Sequence, residues 1–247
     1  RFNHPLTSMC GLILRLIRVM TASMSSGDDR ILWANRINQT YPGLSSLCGD
    51  PPIFRIDEFL DTEECDALVS LGSGRTVRSP TIDDEAVASG ISEARTSTTC
   101  FLRQDEAPWL IEKAANLTNK PPTHMESPQV SHYEAGAYYH AHHDGVDMTG
   151  AVGKLWAANG GQRLVTLLIY INDVPRGGKT LFNELNLYSK PQKGSALLFF
   201  PGFGNGEMDR RVLHEADTVI DEKWVIQIWI RQSRWRVEKE AMRSVSA

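Results

Sequence analysis

The run Arg163-Leu164-Val165-Thr166-Leu167-Leu168-Ile169-Tyr170-Ile171 is apolar at almost every position, and it decides the fold class that the sequence predicts. A strand with one exposed face alternates apolar and polar residues, whereas a strand covered on both faces is apolar throughout. We therefore expect residues 163–171 to form a central, fully buried strand. The run Trp224–Trp229 (WVIQIW) has the same character and predicts a second one.

Short segments of β-type composition surround these two runs, and Gly, Pro and Asn turns separate them. We expect no helix between them, and strands at this spacing are typical of a sandwich or jelly roll. The sequence thus predicts an α+β, mainly β fold, a double-stranded β-helix (jelly roll) with supporting N-terminal helices. The predicted strands are Gln129–Tyr133, Tyr138–Asp144, Arg163–Ile171, Lys179–Phe182, Ser195–Phe200, Val212–His214 and Trp224–Arg231.

The supporting helices are expected before residue 129. Asp61 is the expected N-cap of a first helix that runs to about Leu71. Asp105 is the expected cap of a second helix that ends at Leu117. The polar residues 75–94 predict a mobile loop, and two further strands are expected at Ile53–Ile56 and Arg95–Leu102.

Composition shifts divide the chain into three parts. Residues 1–50 are expected to be a poorly structured or helical appendage, residues 51–234 one domain, and residues 235–247 a charged tail. Within the appendage, Leu12–Met20 is apolar but is interrupted by Arg15 and Arg18, so it is too short and too charged to span a membrane. We interpret it as an amphipathic leader in preference to a targeting signal.

The overall composition is that of an ordinary globular protein. Of 247 residues, 41% are hydrophobic and 23% are charged, and the formal net charge of −4 provides no basic field for nucleic acid. The four cysteines form no Cys-x-x-Cys pair, which argues against a zinc knuckle. Asn38-Gln39-Thr40 and Asn116-Leu117-Thr118 are glycosylation sequons if the chain enters the secretory pathway.

The stretch Tyr133–Gly145 (YEAGAYYHAHHDG) places three histidines and a carboxylate within five residues. Two imidazoles and one carboxylate are the ligand set of non-haem Fe(II) oxygenases, and this set leaves metal positions open. Residues two apart in a strand point the same way, so His142 and Asp144 can bind one ion. His140 has the same parity, so spacing alone leaves His140 and His142 as an alternative pair.

Two downstream residues complete a candidate site. His214 is the only histidine after the stretch, which makes it the candidate third ligand. Lys223 begins the apolar run that contains Trp224, and an inward-pointing ammonium there would need an anionic partner. The distal carboxylate of 2-oxoglutarate would suit it; the alternative is that its amine reaches water.

Four segments resemble the prolyl 4-hydroxylase family of Fe(II)/2-oxoglutarate dioxygenases, and the similarity extends from about residue 53 to residue 231. The similar segments are Tyr133-x-x-Gly136-x-x-Tyr139-x-x-His142-x-Asp144, Gly160-Gly161-Gln162-Arg163-x-x-Thr166, Gly177-Gly178-Lys179-Thr180-x-Phe182, and Asp209-x-x-x-x-His214 with Lys223-Trp224 and Trp229. Upstream, Phe59-Leu60 with Glu64-Cys65 and Arg95-Thr96-Ser97 are also similar.

This chain departs from the family pattern at three places. Lys179 stands where the family commonly has Glu, and His214-Glu215-Ala216 stands where it usually has His-Ala-Gly. The interval of nine residues from His214 to Lys223 is one shorter than usual.

The resemblance implies a role for each matching residue. Fe(II) would be held by His142, Asp144 and His214, which leaves His140 and His143 as bystanders. The co-substrate 2-oxoglutarate would be bound by Lys223, Tyr133 and Thr180. The peptide side of the cavity would be lined by Tyr139, Arg163 and Trp229. O2 would be the second co-substrate, L-ascorbate would rescue oxidised enzyme, and the substrate would be a proline-rich peptide.

Other functions remain open at this stage. They are a non-catalytic cupin-like metal-binding module, a hydroxylase of another residue type, and a zinc hydrolase. Lys223 argues against the module, and the chain has no general-base Glu at a motif spacing for the hydrolase. The sequons and the resemblance predict the endoplasmic reticulum, with the cytoplasm as the alternative. There is no strong membrane signal, and nothing indicates the oligomeric state.

Overall fold

The computed structural model describes residues 31–80 and 93–236, which form two antiparallel sheets. The larger sheet has eight strands in the order β1-β2-β10-β7-β12-β5-β4-β3, and the smaller has four in the order β6-β11-β8-β9. Their bounds are β1 (Leu44–Gly49), β2 (Pro52–Ile56), β3 (Val77–Arg78), β4 (Thr98–Phe101), β5 (Gln129–Tyr133), β6 (Tyr139–His142), β7 (Arg163–Tyr170), β8 (Thr180–Phe182), β9 (Leu187–Ser189), β10 (Ala196–Phe199), β11 (His214–Ala216) and β12 (Lys223–Arg231). The predicted jelly roll is confirmed.

The central strands β7 and β12 are buried at every position, as their continuous apolar runs predict. Alternation along β7 sends side chains into two separate cores. Leu167 and Ile169 join the core on the outer face of the sheet, under the helices. Leu168 and Tyr170 join the core between the two sheets. The chemistry-bearing residues of β7 and β12 lie on this second, inner face.

Two helices cover the outer face of the larger sheet. Helix α1 (Thr62–Gly72) begins after the expected N-cap, Asp61, and the structure adds a capping box, in which Asp61 and Glu64 each accept from the other's backbone N–H. Its last residue, Gly72, packs so closely that an added Cβ would lie 2.7 Å from Val130 Cγ1 on β5. A side chain there would push the helix off the sheet.

Helix α2 (Pro108–Thr118) differs from the prediction at its start. Its N-cap is Ala107, which offers no side-chain hydrogen bond, and Pro108 supplies the fixed φ of the first turn. Asp105, the expected cap, instead forms an exposed ion pair with Arg103. The carboxylate of Asp105 therefore binds the nearby guanidinium of Arg103 and does not cap the helix.

Two other predictions in the β region were wrong. A short helix, α3 (Ala151–Ala158), interrupts the region where we expected none. The strand expected at Val212–His214 begins only at His214, because a 3₁₀ turn occupies Arg210–Val212 and the side chain of Asp209 caps it by accepting from the Arg211 N–H. Further 3₁₀ turns lie at Trp33–Arg36, Pro122–His124 and Asn183–Leu185.

The domain is also larger than residues 51–234. β1 pairs with β2 along the edge of the main sheet, and Ala34 and Ile37 are buried in the outer core, so residues 31–50 do not form an appendage. At the other end, the backbone N–H groups of Trp235 and Arg236 donate to Thr123 and Asn159. The predictions for Leu12–Met20, for most of the loop 75–94 and for the rest of the tail lie outside the described residues. Within residues 31–80 and 93–236, no helix combines the length and apolarity that a membrane span requires.

Candidate metal and co-substrate site

Two strands of the smaller sheet carry the predicted metal ligands. β6 and β11 pair antiparallel with His142 opposite His214, and Asp144 follows two residues after His142. The ligand atoms of these three residues all lie within 4.8 Å of one another. Asp144 Oδ1 is 3.8 Å from His142 Nε2, and Asp144 Oδ2 is 3.8 Å from His214 Nε2. The structure thus brings together the three residues that the sequence indicated.

Backbone carbonyls orient both imidazoles in the same way. His142 Nδ1 donates to the carbonyl of His140 at 2.8 Å, and His214 Nδ1 donates to that of Val212 at 3.0 Å. With Nδ1 protonated, the lone pair of each neutral ring lies on Nε2, the atom that faces Asp144. Both rings therefore present a ligand atom to the same point.

The electrostatics of this cluster suit a divalent cation. Burial and the neighbouring His214 hold the pKa of His142 well below its usual value, so its ring is neutral at pH 7. Burial alone would raise the pKa of Asp144, but the surrounding His214, His142 and Arg163 lower it, and the hydroxyl of Thr166 donates to Oδ2 at 2.8 Å. Two imidazoles that present Nε2 and one buried carboxylate fit Fe(II), and a set of three protein ligands leaves positions open on the metal.

The neighbouring histidines lie outside this cluster. His140 is exposed, and its ring stacks on Tyr138 with centroids 4.5 Å apart. His143 points elsewhere; its Nδ1 is buried and has no hydrogen-bond partner among residues 31–80 and 93–236. The choice between His140 and His142 that spacing left open is therefore made by the geometry.

Lys223 points inward and is 2% exposed. Its ammonium donates to the carbonyl of Gly178 at 2.6 Å and forms no ion pair within the described parts of the chain. Burial lowers its pKa to about 7, although Asp217 acts in the opposite direction. Gly178 has a φ of +67°, and an added Cβ would meet Lys223 Cδ at 3.2 Å, so only glycine leaves this room. A buried cation without a carboxylate partner fits an anionic ligand.

Hydroxyl groups surround this ammonium. Tyr133 lies directly opposite Lys223 in the β5–β12 pair, and the centroid of its ring is 5.3 Å from Nζ. Tyr170 lies on the other side, with its ring centroid 5.7 Å from Nζ, and its hydroxyl donates to Thr180 Oγ1 at 2.8 Å. Lys223, Tyr133 and Thr180, the three residues expected to bind 2-oxoglutarate, are therefore buried near one another, with Tyr170 linking Thr180 to the surroundings of Lys223.

The inner core connects the surroundings of Lys223 with the metal cluster. Phe182 and Phe199 pack against the ring of His214, and both belong to the same apolar cluster as Tyr133 and Tyr170. The two groups of polar residues therefore lie against one apolar cluster.

Of the three residues predicted on the peptide side, Arg163 and Trp229 contact each other. The Arg163 guanidinium lies 3.8 Å from the centroid of the Trp229 ring, and Nη1 donates to the backbone oxygen of Asp144 at 3.4 Å. Glu126 accepts two hydrogen bonds from Arg163, at 2.7 and 2.8 Å, and one from Arg231 at 2.6 Å. Arg163 thus positions the chain at Asp144.

Tyr139, the third of these residues, stacks on the metal-cluster ring of His142 with centroids 3.6 Å apart. Burial raises the pKa of its phenol to about 12, so it remains a neutral donor. The Arg95 guanidinium lies over its other side at 4.8 Å, and Arg95 is itself 4% exposed. Tyr139 therefore packs directly beside the metal position.

Sequence reasoning missed Tyr170, Glu126 and the role of Thr166. Tyr170 and Thr166 share the strand parity of Leu168, so the inward face of β7 was readable from alternation once Thr166 was placed near Asp144. Glu126 gave no signal, because it precedes its strand by three residues and its partners Arg163 and Arg231 lie far along the chain.

The sequence of the chain is similar to the sequences of known proteins. Residues 128–231 match the family model described as the 2OG-Fe(II) oxygenase superfamily. The chain is 36% identical over 214 residues to probable prolyl 4-hydroxylase 3 of Arabidopsis thaliana, across 77% of this chain and 73% of the relative. It is 33% identical over 241 residues to probable prolyl 4-hydroxylase 7 of the same plant, across 87% and 70%.

A solved structure extends the likeness to the fold. The viral collagen prolyl hydroxylase of Paramecium Bursaria Chlorella virus-1, crystallised as a 2OG complex, matches with a TM-score of 0.54 and 26% sequence identity. The match covers 72% of this chain and 95% of the viral one. On sequence, fold and site geometry together, the chain belongs to the prolyl 4-hydroxylase-like family of 2-oxoglutarate- and Fe(II)-dependent oxygenases.

Proposed function

We propose that the protein hydroxylates prolyl residues of polypeptides, at the 4-position of the ring, with release of succinate and CO2. The observation that carries this proposal is that the cluster His142, Asp144 and His214 occurs together with a buried Lys223 that forms no ion pair within the described residues. A protein that only binds metal has no need of the second feature. The relatives named prolyl 4-hydroxylases supply the substrate class.

The bound Fe(II) and 2-oxoglutarate together supply the oxidising chemistry, which consumes O2 and decarboxylates the co-substrate. The residues of this chain hold and orient the participants. Nε2 of His142 and of His214 and the carboxylate of Asp144 would hold the metal. Lys223 would pair with the distal carboxylate of 2-oxoglutarate, while the hydroxyls of Tyr133 and Thr180 would donate to it.

The substrate would enter beside Tyr139 and Trp229. Proline-rich segments are pre-ordered as polyproline II helices and dock well on aromatic surfaces, which lowers the entropy lost on binding. The side chain of Trp229 is buried, and its interaction with Asp144 helps to lower the pKa of that carboxyl, so Trp229 lies next to the metal position.

In the same proposal, O2 is the oxidant, and L-ascorbate reduces metal that has been oxidised in turnovers without peptide. The endoplasmic reticulum is the proposed compartment, on the two sequons and the family. Fractionation of cells that express the tagged full-length protein would test the last point, and a cytosolic distribution would contradict it.

Anaerobic reconstitution tests the activity. The purified protein is loaded with Fe(II) and 2-oxoglutarate, then exposed to O2 with proline-rich peptides, and succinate and peptide mass are followed. We expect succinate together with a mass gain of one oxygen on proline. If the protein forms no more succinate than the His142→Ala control, the proposed enzymatic activity is contradicted. Oxygen on another residue type would correct the substrate and leave the chemistry in place.

A further inference from the structure

Two clefts meet on the surface beside the metal cluster and form one groove. The first has a volume of about 690 Å³ and begins at Asp147 and Met148, just after the metal ligand Asp144. The second has a volume of about 400 Å³ and contains Trp33, Arg36 and Lys120. Both are lined by Asn205 and Gln232, where they join. The groove therefore leads from a loop that carries a metal ligand to a distant cationic end.

The cationic end is built around the ring of Trp33. The ammonium of Lys120 lies 4.1 Å from the ring centroid and the guanidinium of Arg36 lies 4.9 Å from it. Lys120 is 7% exposed, donates to the backbone oxygen of Gln232 at 3.0 Å and lies 3.4 Å from His124 Nδ1. Its neighbours are thus a ring, a carbonyl, an imidazole and a second cation.

No carboxylate neutralises this end in residues 31–80 and 93–236. Neither Lys120 nor Arg36 takes part in an ion pair there, and burial together with Arg36 lowers the pKa of Lys120. The buried cations Arg163 and Arg231 differ, because they share Glu126. Lys120 is buried without a counter-ion, which is costly unless a ligand supplies one, and the adjacent guanidinium of Arg36 adds to the positive charge.

We propose that the groove binds the polypeptide substrate outside the catalytic cavity, and that Arg36 and Lys120 bind an acidic side chain of that substrate. This proposal rests on the proposed function and adds to it a preference for proline-rich segments that carry an Asp or Glu at a fixed distance from the target proline. The charge of the far end gives the chemistry of the occupant. The start of the groove at the Asp144 loop ties the occupant to the substrate.

The length of the groove favours a polypeptide over a small anion. A small anion would fill only the second cleft, and would leave the larger one, with Arg210, Asn205 and Gly206 along it, without an occupant. An extended chain advances about 3.3 Å per residue and can occupy both clefts at once.

The test uses pairs of proline-rich peptides that differ only by Glu or Gln, placed at successive distances from the target proline. Binding is measured by fluorescence anisotropy on the full chain, and kcat/KM is measured by mass spectrometry. We expect the Glu peptide to be preferred about tenfold at one distance, and Arg36→Gln to remove most of that preference through KM. Arg36 is exposed, so this variant should fold.

The matched control is Arg103→Gln, which removes one charge from an exposed ion pair with Asp105. It should keep the preference for Glu. Arg36→Glu should reverse the preference toward a Lys peptide, and Lys120→Gln gives a second variant on the buried cation. Equal binding of Glu and Gln peptides at every distance, or a preference unchanged in Arg36→Gln, would overturn the groove proposal. Because binding is read without turnover, that failure is distinct from a failure to hydroxylate.

Discussion

His142 and His214 face each other across the β6–β11 pair, and each ring donates Nδ1–H to the carbonyl two residues before it. The two histidines are 72 residues apart in sequence yet have the same local arrangement. Each therefore presents Nε2 toward Asp144, and backbone geometry fixes the tautomer of both. This relationship carries the assignment of the metal site, and it leads to the first prediction.

Replacement of either histidine should remove the metal. His142→Ala and His214→Ala should each weaken Co(II) or anaerobic Fe(II) binding by about 100-fold or more, because one of three protein ligands is lost. His140→Ala is the matched control, since its ring stacks on Tyr138 and only its backbone oxygen touches His142. Calorimetric titration gives the affinities. Strong binding by His214→Ala, or lost binding by His140→Ala, would refute the ligand set.

The hydroxyl of Thr166 should position the carboxylate of Asp144, to which it donates at 2.8 Å. Thr166→Val keeps the shape of the side chain but removes the donor, and it should weaken metal binding about tenfold or more. Thr166→Ser keeps the hydroxyl and should restore most of the affinity. The same calorimetric titration measures both variants. If Thr166→Val binds metal as tightly as Thr166→Ser, this hydrogen bond has no role in metal binding.

Lys223 should govern the affinity for 2-oxoglutarate. Lys223→Ala removes a charge-assisted contact and should raise the Kd of 2-oxoglutarate by about 100-fold, while metal affinity stays near that of the wild type. Anaerobic calorimetry with the metal present measures the Kd of 2-oxoglutarate, and metal titration without co-substrate measures the metal affinity. If the variant binds 2-oxoglutarate normally, another cation must serve its distal carboxylate.

The lowered pKa of Lys223 gives this binding a pH dependence. Its value of about 7 means that the protonated fraction falls as pH rises above 7, and the dianion binds the protonated form. The Kd of 2-oxoglutarate should therefore rise with pH, by at most about tenfold per unit. Without co-substrate, the same shift should make the free energy of unfolding rise with pH. The unfolded chain keeps the Lys223 proton to a higher pH than the folded protein does, so the folded state gains stability as pH rises above about 7. A Kd of 2-oxoglutarate that does not change between pH 6 and about 9 would contradict the predicted pH dependence of binding.

Glu126 should be essential to stability, because it is the only carboxylate that the described chain pairs with either Arg163 or Arg231. Glu126→Gln leaves two buried guanidinium groups without an anion and should lower the free energy of unfolding by about 3–5 kcal/mol. Glu106→Gln, in a more exposed pair with Arg75, should cost no more than about 1 kcal/mol. Urea denaturation compares the two. A similar cost for both would mean that water reaches the buried pair.

Local pattern predicted most of the sheet and the metal ligands, since alternation and continuous apolar runs state directly which face is buried. The family resemblance then selected His142 over His140, and the pairing of β6 with β11 explains that choice physically. The helix α3, the Ala107 cap and the strand β1 escaped prediction because tertiary contacts decide them. Trp156 of α3, for example, is held by the stacked guanidiniums of Arg163 and Arg231.

We expect a single turnover at this site to divide one molecule of O2 between 2-oxoglutarate and a prolyl residue. Isotopically labelled O2 measures this directly, with Fe(II), 2-oxoglutarate and a proline-rich peptide present. The structure predicts one labelled atom in succinate and one in hydroxyproline, in equal amounts, and neither product in His142→Ala. Label absent from both products, or hydroxyproline formed without succinate, would contradict the account.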